Sequence, residues 1–164
     1  MGFDIGGITG SEMWSVWEIG GLAYEPCLPE SLECFQAKLD AFPEGCLACR
    51  SNGSISGYIL SHPWLGDCVP LDFVMGEIPE NPDCYYIHDL SVLPQFRGIG
   101  IGRALANAAL EVVVGNRLTE ARLISVQDSH PFWERMGFET VSETTYGPDE
   151  KGRMGPAKHM RRML

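Results

Sequence analysis

The chain has 164 residues, 45% of them hydrophobic and 21% charged, an ordinary globular composition. That length suits one compact domain with a sizeable core, so residues 1–164 are expected to form a single domain. A formal net charge of −10 argues against nucleic-acid binding, which usually needs a basic domain, and favours a small cationic partner such as an amine.

Phe3 to Ile8 reads as a first strand, weakened by Gly6 and Gly7. Ser11 is a suitable N-cap for a helix predicted from Glu12 to about Tyr24, carrying Trp14, Trp17 and Leu22. Pro26 and Pro29 break the chain. Ser31 can cap a second helix, predicted over Leu32 to Ala41, which Pro43 and Gly45 end. Predicted strands over Cys46–Arg50 and Ser54–Ser61 flank Asn52-Gly53, a strong hairpin signal. Residues three apart on a strand point to opposite faces, which separates Cys46 from Cys49. Trp64 to Asp83 reads as a proline-containing loop, and Tyr85 to Leu93 as the next strand.

A glycine-rich loop and a helix to about Val114 follow. Ile101, Leu105, Ala108, Ala109 and Val112 recur at helical spacing, and Gly115-Asn116 is a natural stop. Ala121 to Val126 reads as a strand. Asp128 or Ser129 can cap a short helix predicted over Pro131 to Met136. Phe138 to Tyr146 and Ala157 to Leu164 read as strands around a polar loop, Gly147 to Gly155. The pattern by itself describes an α/β (mixed α+β) chain, a mixed sheet with helices on its faces.

No apolar run reaches membrane-spanning length, so no membrane partner is expected. Met1-Gly2-Phe3-Asp4-Ile5 has neither the basic region nor the apolar core of a signal peptide. Cys27, Cys34, Cys46, Cys49, Cys68 and Cys84 show no paired framework. Cys46-x-x-Cys49 has no second such pair and no spaced histidines, so no metal site is expected. Reduced thiols point to the cytoplasm.

The most informative stretch is Gln95-Phe96-Arg97-Gly98-Ile99-Gly100-Ile101-Gly102-Arg103. Its glycines alternate where a strand ends and a helix begins. Glycine lets main-chain N–H groups approach a ligand closely, and a helix start carries unpaired N–H groups and positive dipole character. Together they form an anion cradle, most simply for a phosphate or pyrophosphate. A Walker loop is excluded because Arg103 and Ala104 follow Gly102, and the spacing fails the dinucleotide fingerprint.

Gln95-x-x-Gly98-x-Gly100 resembles the Arg/Gln-x-x-Gly-x-Gly/Ala motif of the GNAT superfamily, the acyl-CoA-dependent N-acyltransferases. Asp89-Leu90-Ser91-Val92-Leu93-Pro94 resembles that family's fourth strand and its exit. Pro131-Phe132-Trp133-Glu134-Arg135-Met136-Gly137-Phe138 is similar to its late helix and the start of its sixth strand. The segment from Tyr85 to Phe138 matches best. Phe42-Pro43-Glu44-Gly45-Cys46 and Ile87-His88-Asp89-Leu90 are most similar to the arylalkylamine N-acetyltransferase-like branch. The resemblance implies the order β-α-α-β-β-β-α-β-α-β-β, with a mostly antiparallel sheet of six to seven strands flanked by about four helices.

It also implies acetyl-CoA as co-substrate, held between the strands at Tyr85–Leu93 and Ala121–Val126, and transfer of the acetyl group to a small-molecule primary amine by direct attack. The pyrophosphate would lie on N–H groups of Arg97, Gly98, Ile99, Gly100, Ile101, Gly102 and Arg103. Leu90, Ser91 and Val92 would meet the pantetheine arm, with Ser129, Phe132 and Trp133 beside it. His88 is the expected general base, since imidazole suits proton transfer near neutral pH, with Asp89 the alternative and Tyr86 a neighbouring candidate. Strict strand alternation puts Tyr86, His88, Leu90 and Val92 on one face, although a β-bulge would alter this.

Trp133 stands where many family members have a tyrosine that protonates the CoA thiolate. That leaves Tyr146, Tyr86 or water as replacement acids. Tyr24, Trp64, Phe73 and Tyr146 are candidates to line the acceptor cavity, with Glu25, Glu30 or Asp72 to attract an ammonium. The alternative function is a catalytically silent CoA-binding or sensor domain. A monomer or homodimer fits either.

Overall fold

The computed structural model describes residues 2–24, 30–115, 117–148 and 154–164. Its strands are β1 (Phe3–Gly7), β2 (Cys46–Ser51), β3 (Ser54–Trp64), β4 (Cys84–Val92), β5 (Glu120–Val126), β6 (Glu139–Pro148) and β7 (Met154–Met163). The helices are α1 (Met13–Ala23), α2 (Leu32–Ala41), α3 (Ile101–Gly115) and α4 (His130–Arg135). The strands form one seven-stranded sheet in the order β1-β2-β3-β4-β5-β7-β6. Neighbours are antiparallel except β4 and β5, which run parallel. This is the element order expected from the GNAT resemblance.

Local signals explain most boundaries. Ser31 caps α2, its Oγ accepting from the Cys34 N–H at 3.3 Å. Asn52 and Gly53 both take positive φ, 53° and 79°, as a two-residue hairpin turn of this hand requires. The entry to α1 differs from the expectation at Ser11. The chain enters through a 3₁₀ turn, Gly10–Glu12, and Glu12 reaches back to accept from the Thr9 N–H at 2.9 Å. Thr9, not Ser11, is the N-cap of that entry, and Glu12 closes a capping box on it. Most of the loop expected at Gly147 to Gly155 lies outside the described residues, as do Glu25 and Cys27.

The sheet carries apolar clusters on both faces. α1 and α2 cover one, built from Met13, Val16, Ile19, Phe35, Leu39, Cys46, Tyr58 and Leu60. α3 and α4 cover the other, with Ile59, Tyr85, Ile87, Ile101, Leu105, Leu110, Leu123 and Trp133. Cys46 and Cys49 fall in opposite clusters, as strand alternation requires. The buried stripes of α1 and α3 are set by the sheet, and the face expected for α3 shifts. On α1 the buried residues are Met13, Val16, Ile19 and Gly20, while Trp14 and Leu22 are exposed. On α3, Ala106, Leu110 and Val113 join Ile101, Leu105 and Ala109 in the core, displacing Ala108 and Val112 to its margin. Apolar periodicity finds the helix, but the sheet's twist selects the stripe that faces it.

Two features of the sheet position the site. The β4–β5 ladder ends at Ile87↔Leu123. Beyond it, β4 stays paired to β3 as far as Val92↔Gly57, and β5 to β7 as far as Val126↔Ala157. The two strands therefore diverge and leave a gap at their C-terminal ends. On the opposite face α1 crosses β3 at Gly20, where an added Cβ would lie 2.6 Å from Tyr58 Oη and 3.2 Å from the Phe35 ring.

Gly20→Ala tests that crossing. In an open helix the change gains about 0.5–1 kcal/mol. Here Tyr58 is fully buried and bonded to Asp89, so it cannot swing aside. Overpacking should dominate, with a net loss of about 1–3 kcal/mol in urea unfolding. A stabilised variant would show that the crossing is loose.

Candidate active site

A cavity of about 920 Å³ runs from the glycine loop through the β4–β5 gap to the end of α1. Every residue expected to bind the cofactor lines it: Leu90, Ser91, Val92, the loop from Arg97 to Arg103, Ser129, Phe132 and Trp133. His88, Asp89 and Tyr24 line it as well, whereas Tyr86 is buried outside it.

The loop has the geometry of an anion cradle. Gly98 and Gly100 sit at φ +80° and +94°, and a Cβ at either would meet nothing within 4 Å. The backbone is therefore bare toward open space. The Ala104 N–H to Gly100 carbonyl bond, 3.0 Å, closes the first turn of α3, so the N–H groups of Ile101, Gly102 and Arg103 lack intrahelical acceptors. Arg97 pins the loop to β4, its Nε donating to the Val92 carbonyl at 3.0 Å. Arg103 and Arg135 are exposed at the same cavity. Arg135, from α4, and Gln127, from the turn after β5, line it too and were given no role on sequence grounds.

These groups fit the pyrophosphate and pantetheine of CoA. The loop offers N–H donors and guanidinium charge. The gap offers strand edges without a partner strand. Among the described residues no group of three His, Cys, Asp or Glu side chains converges as a metal site. No helix among them is long and apolar enough to cross a membrane.

Strict alternation fails on β4 at His88. Leu60 pairs with Asp89 while the next residue, Ser61, pairs with Ile87, so His88 is the extra residue of a bulge. Ile87 and Leu90 both pack against the α3 side. His88 and Asp89 both turn to the α1–α2 side, so Leu90 and Val92 do not share a face with His88 and Tyr86.

His88 Nε2 lies 2.7 Å from Glu30 Oε2, and both side chains are buried. Glu30 is also bound by Lys38 Nζ at 3.3 Å and by the Asp72 N–H at 3.1 Å. Burial raises the Glu30 pKa, but His88 and Lys38 outweigh it and hold the carboxyl at about 2. An ionised carboxylate only accepts, so the hydrogen in this contact sits on Nε2. Nδ1 has no hydrogen-bond partner, and neither does Nε2 of His62, whose ring centroid lies 6.2 Å from that of His88. Burial pushes His62 down to about 3, so it is neutral. No motif or spacing singles out His62.

Asp89 accepts from Tyr24 Oη at 2.7 Å and from Tyr58 Oη. Burial raises its pKa, against the pull of both phenols. The other sequence candidates are occupied elsewhere. Tyr146 Oη donates to the Val69 carbonyl at 2.9 Å, and Trp64 packs on Phe73 at 5.9 Å. Asp72 accepts from the Ser31 N–H and hydroxyl. Trp133 packs between Phe132 and Phe138, at 4.9 and 5.5 Å between centroids. Ser129 sits at the α4 N-cap without a side-chain cap bond, because its hydroxyl pairs with Ser125 at 3.0 Å.

Residues 12–138 match the acetyltransferase (GNAT) family. An uncharacterized N-acetyltransferase of Methanocaldococcus jannaschii is 31% identical over 99 residues, 58% of this chain. The chain spans only 39% of that relative's length. Among solved structures, Ard1 of Thermoplasma volcanium superposes with a TM-score of 0.78 at 18% identity, over 100% of this chain and 99% of the other. A NatC complex bound to Gag peptide and CoA gives 0.78 at 19% identity, covering 100% and 99%. Naa50 of Arabidopsis thaliana with the bisubstrate analogue CoA-Ac-MVNAL gives 0.76 at 16%, covering 100% of both chains. At those identities the structures establish a shared fold. With the family match spanning most of the sequence, the chain belongs to the acetyltransferase (GNAT) family.

Proposed function

We propose that the protein is an acetyl-CoA-dependent N-acetyltransferase acting on a small primary amine by direct attack in a ternary complex. The observation that carries this reading is the gap between β4 and β5 opening beside the left-handed glycine loop at the start of α3. The loop and its arginines hold the pyrophosphate. Main-chain groups at Leu90 and Val92 pair with the pantetheine arm, and the Leu90 N–H polarises the acetyl carbonyl. His88, oriented by Glu30, is the general base that takes a proton from the arriving ammonium. The negative surface favours a cationic acceptor.

A peptide α-amine is the second reading, supported by the shared fold with Naa50, solved with a peptide-linked CoA analogue, and with NatC, solved with a peptide. Thiol release measured with parallel panels of small amines and short peptides separates the two. Release with peptides alone would overturn the small-molecule reading. Binding of CoA with no release from either panel would leave a silent CoA-binding domain.

Gly100→Glu should abolish saturable CoA binding in calorimetry. It forces a side chain into a positive-φ position and places its carboxylate in the anion cradle. Undiminished affinity in a folded variant would remove the loop from the site.

His88→Ala should lower turnover by roughly 10²–10⁴-fold, the usual effect of losing a general base, while CoA affinity holds. Wild-type turnover would reduce His88 to a structural partner of Glu30. Trp133→Phe should cost at most about 10-fold, far less than the loss of a proton donor. A folded, CoA-binding Trp133→Phe protein slowed several hundred-fold would bring the indole into the chemistry.

A further inference from the structure

We infer that Tyr24 carries a proton between the reacting nitrogen and the CoA sulfur, using Asp89 as its temporary store. The inference rests on the N-acetyltransferase reading above and assigns the step for which Trp133 has no suitable group.

Elimination points to Tyr24. Among the described tyrosines it alone lines the cavity. Tyr58, Tyr85 and Tyr86 are fully buried, and Tyr146 is tied to Val69. Tyr24 follows the last residue of α1, and its N–H donates back to the Gly20 carbonyl at 3.2 Å, which fixes the ring's origin. Its hydroxyl donates to Asp89 Oδ1 at 2.7 Å and keeps two lone pairs. Asp89 is buried, and a phenol occupies each of its oxygens. Of the two phenols only Tyr24 also lines the cavity, so it links that carboxylate to the cavity beside it.

The environment favours such an exchange. Burial raises the Tyr24 hydroxyl well above its ordinary pKa, so the phenol stays protonated at rest. Burial also raises Asp89, making its carboxylate a readier acceptor. The groups acting on Asp89 are Tyr24 from α1, Tyr58 from β3, His88 and Ser91 from β4, and Glu30 ahead of α2.

The step balances. After the neutral amine adds to the thioester carbonyl, the nitrogen carries a positive charge and a surplus proton. That proton passes to Tyr24 Oη as the phenol's own proton moves to Asp89 Oδ1. The C–S bond breaks with its electron pair on sulfur. The proton then returns from Oδ1 to Oη while the Oη proton goes to the thiolate. Nitrogen and sulfur are bonded to the same carbon in the intermediate, so one hydroxyl can serve both. The products are the amide and CoA thiol, with Asp89 again ionised. His88 acts earlier, on the ammonium.

The test uses the acceptor found with the wild-type protein. Tyr24→Phe keeps the ring and removes only the hydroxyl. It should lower kcat by roughly 10²–10⁴-fold, with the acetyl-CoA KM and calorimetric CoA affinity unchanged. Asp89→Asn should do the same, and the double variant should be no slower than the worse single, as for groups acting in one step. Thermal melts check folding, and if Asp89→Asn does not fold, Tyr24→Phe decides alone. A folded Tyr24→Phe protein with wild-type kcat would overturn the relay, as would losses that multiply in the double variant. A wild type that releases no CoA with any amine or peptide would sink the transferase reading and the relay together. An active wild type with an equally active Tyr24→Phe would sink the relay alone.

Discussion

The divergence of β4 from β5 is the constraint on which the rest of the structure depends. A parallel pair normally continues its ladder, since each unpaired buried backbone group costs free energy. Here the ladder stops at Ile87↔Leu123, and both strands run on while paired only on their outer sides. The open edges lie within the cavity, beside the start of α3. An extended ligand arm can supply the missing strand contacts, and the helix start can hold the anionic end of the same ligand. The cradle and the gap adjoin, as the proposed binding of one long molecule requires.

The bulge at His88 sets what faces that gap from the other side. One extra residue turns two successive polar side chains, His88 and Asp89, toward α1 and α2. Each is then met by partners from distant segments: Glu30, itself held by Lys38, for His88, and Tyr24 and Tyr58 for Asp89. Burying this much charge and polarity is justified only where every group finds a partner. The exceptions, His88 Nδ1 and His62 Nε2, adjoin the site rather than lying scattered through the core. A buried group left without a partner calls for an explanation, and a catalytic role is one of them.

Charge is distributed to match. The chain is acidic overall, yet Arg97, Arg103 and Arg135 gather at the cavity end that carries the α3 N-terminus. The end nearer α1 presents phenol, imidazole and carboxyl groups instead. The function proposed above would use this asymmetry, with an anionic co-substrate at one end of the cavity and a cationic acceptor at the other.

Local sequence encodes the element order, the hairpin at Asn52-Gly53 and the glycine loop. Each depends on neighbours within a few residues: positive-φ glycines, a capping serine, an apolar period. The strand-to-helix transition at Gly98–Gly102 was legible for the same reason. Tertiary structure decided which stripe of α1 and α3 is buried, because that depends on the twist of the sheet beneath. It also decided the catalytic candidates. Strand alternation assigned His88 and Leu90 to one face, and only the pairing register with β3 shows the extra residue that separates them. The Tyr24–Asp89 contact joins residues 65 apart in sequence, and the Glu30–His88 contact joins residues 58 apart. No local pattern encodes such contacts, since they exist only once α1 and α2 have docked on the sheet.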